Sequence, residues 1–281
     1  MPPPPPPPAS TSSPSYVVNR YVASEHVVNE YVVNEYVASE HGRMTMEEVT
    51  MDKAMTVKTE TTRDLVWPGL ADPAHDSQRL FRQILGALSE PGTLTTLALP
   101  APPQVAPSDA LGAALWGVVL TLCDLETRVW IAADLDSPAL REALTFHTGA
   151  RITDDPASAD FALLTHESFD PQTPFAVGSD TYPDRGTTLL VAVERLENDS
   201  NGADDADHGW RLSGPGIAES RVLDIGDGAG CRALMTRLAG NRASFPQGLD
   251  AIFGCGAQLA AIPRSTRIAS VEARADSQET N

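Results

Sequence analysis

Lysine is nearly missing from this chain. Its two copies, Lys53 and Lys58, both precede the region where globular patterning begins, and none occurs from Thr61 to Asn281. Pyridoxal-phosphate enzymes need a lysine amine for their Schiff base, and a P-loop needs a lysine to reach nucleotide phosphates. Neither chemistry is available to the later part of the chain, so no cofactor is expected. Cysteine is scarce too. Cys123, Cys231 and Cys255 are odd in number and far apart, with no CxxC pair or Cys/His cluster, which excludes a disulfide framework and the usual zinc sites. Long apolar runs are also lacking: the longest, Ala110 to Cys123, has 14 residues including two glycines. A membrane span needs about 20, so this run predicts a buried helix. Met1 is followed by seven prolines rather than by a basic stretch and an apolar segment. That start does not resemble a secretion signal, and a cytoplasmic location is expected. Positive charge is in short supply, with 20 basic against 38 acidic residues and a net charge of -18. A field of that sign repels nucleic acid, although a local arginine cluster could still hold a small phosphorylated ligand.

What is present is a 42% hydrophobic composition, enough for a substantial core. Residues 1–60 stand apart from it. Prolines and serines open the chain, and YVVNRYVASEH from Tyr16 is followed by YVVNEYVASEH from Tyr31. Two copies are too few for a solenoid, so the segment reads as a disordered extension, or as chain upstream of a later start such as Met44, Met46, Met51 or Met55. Regular patterning begins near Asp76. Leu80, Phe81, Ile84, Leu85 and Leu88 fall on one helical face, and Pro91-Gly92 ends that helix. Residues 94–99 suit a strand. Ser108 to Cys123 suits a buried helix capped by Ser108 or Asp109, and Thr127 to Ala132 another strand. Ser137-Pro138 starts a helix that Gly149 ends. Asp160–Leu164, Thr187–Val193, Trp210–Leu212 and Arg221–Ile225 predict strands, and Asp227 caps a helix bearing Leu234, Met235 and Leu238. Asp250–Phe253 and Gln258–Ile262 form a closing hairpin or neighbouring strands, and Asn198–Gly209 reads as a solvated acidic loop. The alternation implies a single α/β domain with a mixed sheet flanked by helices, spanning residues 61–270, with a disordered tail at 271–281.

Candidate chemistry is thin. His75, His147, His166 and His208 lack metal-ligand spacing, so no metal site is expected. His147 is the best placed, at a helix C-terminus beside Phe146. Asp124 and Glu126 make a carboxylate pair whose bland reading is a cap or a solvated turn. GDGAG at Gly226–Gly230 lacks the GxGxxG spacing, Gly214-Pro215-Gly216 is ordinary turn sequence, and neither GxSxG nor HExxH occurs.

The order of segments is specific. FRQILGALSEPGTL from Phe81, VLTLCDLET from Val119, VWIA from Val129, FHTGA from Phe146, RLSGPGIAE from Arg211, FPQGLDAIFGCG from Phe245 and LAAIPRSTR from Leu259 together resemble the PhnH family. The resemblance spans roughly Ala74 to Ile268. It departs at the first 60 residues, at the acidic loop, and at Ser265, where the family usually has threonine. It implies a fold related to pyridoxal-phosphate-dependent transferases that has lost the cofactor, and a homodimer assembled with PhnG, PhnI and PhnJ in the carbon-phosphorus lyase core complex. That complex joins ATP to an alkylphosphonate with release of adenine, giving α-D-ribose 1-methylphosphonate 5-triphosphate from methylphosphonate. PhnI is implied as the seat of the chemistry and this chain as an accessory subunit. Arg82, His147, Asp250 and Arg264 lie in the resembling segments and are the candidates for ligand binding or subunit contact. A stand-alone protein binding a nucleotide or a phosphorylated ligand is the alternative outside the family.

Overall fold

The computed structural model describes residues 35–38, 44–47, 67–97, 111–199 and 208–271. The chain divides into two units, Met1–Val57 and Lys58–Asn281. Within the first, strands β1 (Glu35–Ala38) and β2 (Met44–Glu47) pair antiparallel, Glu35 opposite Glu47. The remainder of the predicted extension, and the tail from residue 272, lie outside the described residues.

The second unit is built on a seven-stranded mixed sheet. Its strands are β3 (Thr95–Thr96), β4 (Arg128–Ile131), β5 (Arg151–Ile152), β6 (Phe161–Thr165), β7 (Thr188–Ala192), β11 (Asp250–Cys255) and β12 (Gln258–Ile262). Their order is β3-β12-β11-β7-β6-β4-β5. The run from β5 to β11 is parallel, whereas β12 and β3 are antiparallel additions at one edge. A smaller antiparallel sheet follows the order β13-β9-β10-β8, with β8 at Glu197–Asp199, β9 at Trp210–Ser213, β10 at Arg221–Asp224 and β13 at Arg267–Ser270.

Period-two alternation in the central strands explains the layers. Leu163, Leu190, Ile252, Leu259 and Ala261 point to one face, where helices α1 (Pro73–Ser89), α2 (Gly112–Leu122) and α3 (Pro138–Thr148) cover them. Leu164, Leu189, Val191, Ala251, Phe253 and Ile262 point to the other. There they meet Leu212 and Leu223 of the small sheet and Cys231, Leu234, Met235 and Leu238 of α4 (Ala229–Ala239). A sheet buried on both faces needs strands apolar on both sides, and the inner residues of β6, β7, β11 and β12 are. The α/β reading with helices flanking a mixed sheet therefore holds. No helix among the described residues is long and apolar enough to cross a membrane.

Local signals account for several ends. Ser137 accepts a bond from the Leu140 N–H, Pro138 takes the first helical turn, and Gly149 closes α3 at φ 72°, a left-handed conformation that glycine adopts without a Cβ penalty. The predicted hairpin of β11 and β12 forms with Ala251 opposite Ile262. Other expectations need correcting. Helix α1 starts at Pro73 under an Asp72 cap, and it buries Leu80, Ile84 and Ala87 while Phe81 and Leu85 stay exposed. An i, i+4, i+7 ridge suffices to seat a helix on a sheet, and the neighbours of that ridge rotate outward. The strand expected over 94–99 is paired only at Thr95–Thr96. Leu111 precedes α2 without a side-chain cap, and Ser108 and Asp109 lie outside the described residues. Gly228, not Asp227, precedes α4, again with no side-chain cap. The acidic loop begins later than expected, because Asn198 and Asp199 belong to β8.

Candidate functional site

The four candidate residues fall into three places. Asp250 opens β11 and Arg264 follows β12, so the hairpin register brings them together at one end of the sheet. Asp250 Oδ1 accepts from the Arg264 backbone N–H at 2.7 Å and from its Nε at 3.1 Å. Oδ2 accepts from Nε at 3.0 Å and from Nη2. Nη1 donates to the Pro183 carbonyl, in the short 3₁₀ turn Pro183–Arg185. The side chains are 13% and 22% exposed for Arg264 and Asp250. A guanidinium binds phosphate through its forked N–H groups. Here that fork already faces protein acceptors, and its task is to join the hairpin to the loop before β7.

His147 lies elsewhere, in the last turn of α3. Its role follows from α2, whose buried run Ala113–Val119 leaves it apolar nearly all round. A helix of that kind cannot sit in an outer layer uncovered. The segment Trp67–Leu70 covers it: the Trp67 and Trp116 rings meet at a tilt of 59° with centroids 4.8 Å apart, and Trp116 Nε1 donates to the Pro68 carbonyl at 2.9 Å. His147 Nε2 lies 2.8 Å from the Trp67 carbonyl oxygen, so Nε2 carries a proton and donates it. Its ring also presses on Gly69, where an added Cβ would come within 2.9 Å of imidazole atoms. His147 is thus the clasp of a strap laid over α2.

Arg82 is third, on the exposed face of α1 between Phe81 and Leu85, with no side-chain partner among the described residues. The structure unites Asp250 with Arg264 and leaves His147 and Arg82 apart from that pair.

The carboxylate pair takes the bland role. Asp124 Oδ1 accepts from the Glu126 N–H at 2.9 Å and from Thr127 Oγ1 at 2.7 Å, closing a turn. Those bonds, the Thr127 hydroxyl foremost, hold the Asp124 carboxyl below its usual range, so it is ionised and unsuited to donate a proton near neutral pH.

Sequence reasoning missed an open cleft of about 410 Å³ at the carboxyl ends of β7 and β11, lined by Glu194, Arg195, Glu197, Asn198, Cys255 and Gln258 among others. Ligands of parallel sheets settle at such ends. Its one guanidinium, Arg195, is held by Glu197 at 2.8 Å and Asp224 at 3.0 Å. Arg195 in turn keeps the Glu197 carboxyl below its ordinary range. Cys255 Sγ points to the Glu194 carbonyl at 3.4 Å. The alternation of Arg195 and Glu197 entering a strand was the available signal, but Asp224 comes from a different strand and nothing local announces it. A paired arginine, carboxylates and a thiol do not make a nucleophile, base and charge-stabilising set. Among the described residues no group of three or more His, Cys, Asp or Glu side chains could hold a metal ion.

Comparison with known proteins places this framework. Residues 68–269 match the family described as bacterial phosphonate metabolism protein (PhnH). Over 210 residues the chain is 32% identical to alpha-D-ribose 1-methylphosphonate 5-triphosphate synthase subunit PhnH of Rhizobium meliloti (strain 1021), covering 74% of this chain and 98% of that one. It is also 32% identical over 193 residues to HtxG of Stutzerimonas stutzeri, whose name places it with C-P lyase subunits, covering 68% of this chain and 85% of that one. The match takes in every strand of both sheets in the second unit except the last residue of β13, and the chain belongs to the PhnH family of bacterial phosphonate metabolism proteins.

Proposed function

We propose that the chain is an accessory subunit of the carbon-phosphorus lyase core complex, needed for forming α-D-ribose 1-methylphosphonate 5-triphosphate from ATP and methylphosphonate. The observation that carries this reading is the near full-length match to a subunit of that synthase in a chain whose candidate polar residues mostly serve its own fold. In this reading the chain works in the cytoplasm as a homodimer with PhnG, PhnI and PhnJ, and ATP and the alkylphosphonate are substrates of the whole assembly. Residues 61–270 are the working domain, and 1–60 and 271–281 are dispensable. The fold is a relative of pyridoxal-phosphate-dependent transferases that has lost the cofactor, and the absence of lysine after Lys58 agrees with that loss.

A second reading, in which the chain lends groups to a shared substrate site, is favoured by Arg82 alone, the candidate with no partner in the described structure. Affinity purification of the tagged chain from cells growing on methylphosphonate tests the first reading. Co-elution of the other subunits in fixed proportion is expected. Elution of the chain by itself, under conditions where the other subunits still assemble, overturns it.

A further inference from the structure

Among the described residues the two most exposed large apolar side chains are Phe146, at 81%, and Leu125, at 70%. Both lie at the C-terminal end of α3. Leu125 lies against Gly149, where an added Cβ would come within 2.4 Å of its Cδ2, and Phe146 sits one turn earlier on α3. Single exposed apolar residues need no explanation, but two at the same helix end on a fixed support do. The support is fixed on both sides. The turn carrying Leu125 is closed by Asp124 and Thr127, and the Arg151 N–H is bound to the Thr127 carbonyl at 2.9 Å. Phe146 stands on a helix capped at both ends, its ring 5.0 Å from that of His147, which clasps the strap.

The rim of this knob is acidic. Asp124 and Glu126 flank Leu125, and Glu142 precedes Phe146 by four residues on the same helical face, all three exposed. The nearby exposed cations are Arg151 and its register partner on β4, Arg128, which Asp160 already pairs. With Arg128 and Asp160 offsetting each other, three carboxylates against Arg151 leave an acidic rim that selects a partner of opposite sign. A second copy offering this same surface would set acidic rim against acidic rim, so the knob is not a self-contact.

We infer that Leu125 and Phe146 are the anchors of a docking knob that seats in another subunit of the complex, in a pocket apolar at its base and ringed by lysine or arginine. This rests on the accessory-subunit reading and names the surface and the chemistry of its partner. Aromatic anchors at the centre of an interface carry a disproportionate share of its affinity, and charged rims mainly govern association rate and salt dependence.

The test captures the full-length chain on tagged partner subunits in wild-type form, as Leu125→Ala/Phe146→Ala, and as Glu126→Lys/Glu142→Lys. Both side chains are exposed, so the apolar variant should keep the wild-type circular dichroism and melting temperature. The expected result is capture weakened by about tenfold or more for the apolar variant. Capture by the charge-reversed variant should be slower and lose its salt dependence. Phe81→Ala, on α1, should be captured like wild type. Equal capture of wild type and apolar variant overturns the knob while leaving the accessory-subunit reading intact. Failure of wild type to be captured sinks that reading and the knob with it. A fall of the apolar variant from dimer to monomer in its own right, with capture unchanged, assigns the surface to self-association and also overturns the inference.

Discussion

Arg264 grips the Asp250 carboxylate through its backbone N–H, Nε and Nη2 while its Nη1 reaches the Pro183 carbonyl, so one side chain ties the β11–β12 hairpin to the loop before β7. The pair is mostly buried, and a carboxylate left there alone is costly. Arg264→Ala should therefore lower the unfolding free energy by about 2–3 kcal/mol, read from urea denaturation. Arg264→Lys should fall between, since an ammonium keeps the charge but not the fork. In the assembled complex any loss of activity should follow loss of assembly. An intact complex with impaired turnover would instead give Arg264 a ligand role.

The clasp at His147 makes a separate prediction. His147→Ala removes the bond to the Trp67 carbonyl and the ring over Gly69, and should cost roughly 1–3 kcal/mol. The strap then loosens, so Trp67 and Trp116 should emit at longer wavelength, and cleavage by a protease should concentrate near residue 67. Gly69→Ala pushes on the same contact from the other side and should shift emission likewise. Unchanged emission in both variants would show that His147 does not hold the strap.

Thiol chemistry separates the three cysteines. Burial, with Asp124 and Asp160 adding to it, pushes the Cys123 thiol up to about 12, and burial also raises Cys231. A thiol whose folded pKa exceeds its unfolded value stabilises the fold fully below the unfolded pKa. That contribution is lost as pH rises from the ordinary thiol value of 9.0 toward about 12. At a pH of about 8.5, a disulfide reagent should label Cys255 readily in the native protein. Cys123 and Cys231 should react only when denaturant is added. Rapid native labelling of Cys123 would contradict its burial.

Much of this was readable from residues. The hairpin at Asp250–Ile262, the Ser137 and Gly149 ends of α3 and the apolar character of α2 each follow from local pattern. What escaped depended on tertiary neighbours. Phe81 and Leu85 share the apolar arc of α1 with Leu80 and Ile84, and only the seat of the helix on the sheet decides which pair is covered. Trp67 lies ahead of the first regular helix, and its value appears only once Trp116 and His147 are seen beside it. Of the site candidates, the Asp250–Arg264 pairing follows from the hairpin register, whereas Arg195 meets Asp224 only because β10 lies alongside β8.

In the accessory-subunit reading proposed above, catalysis belongs to the assembly and not to this chain alone. The most direct measurement is adenine release from ATP in the presence of methylphosphonate, followed for the isolated chain, for the partner subunits without it, and for the reconstituted complex. No release by the isolated chain and release by the complete complex are expected. Robust turnover by the isolated chain, purified free of its partners, would contradict it.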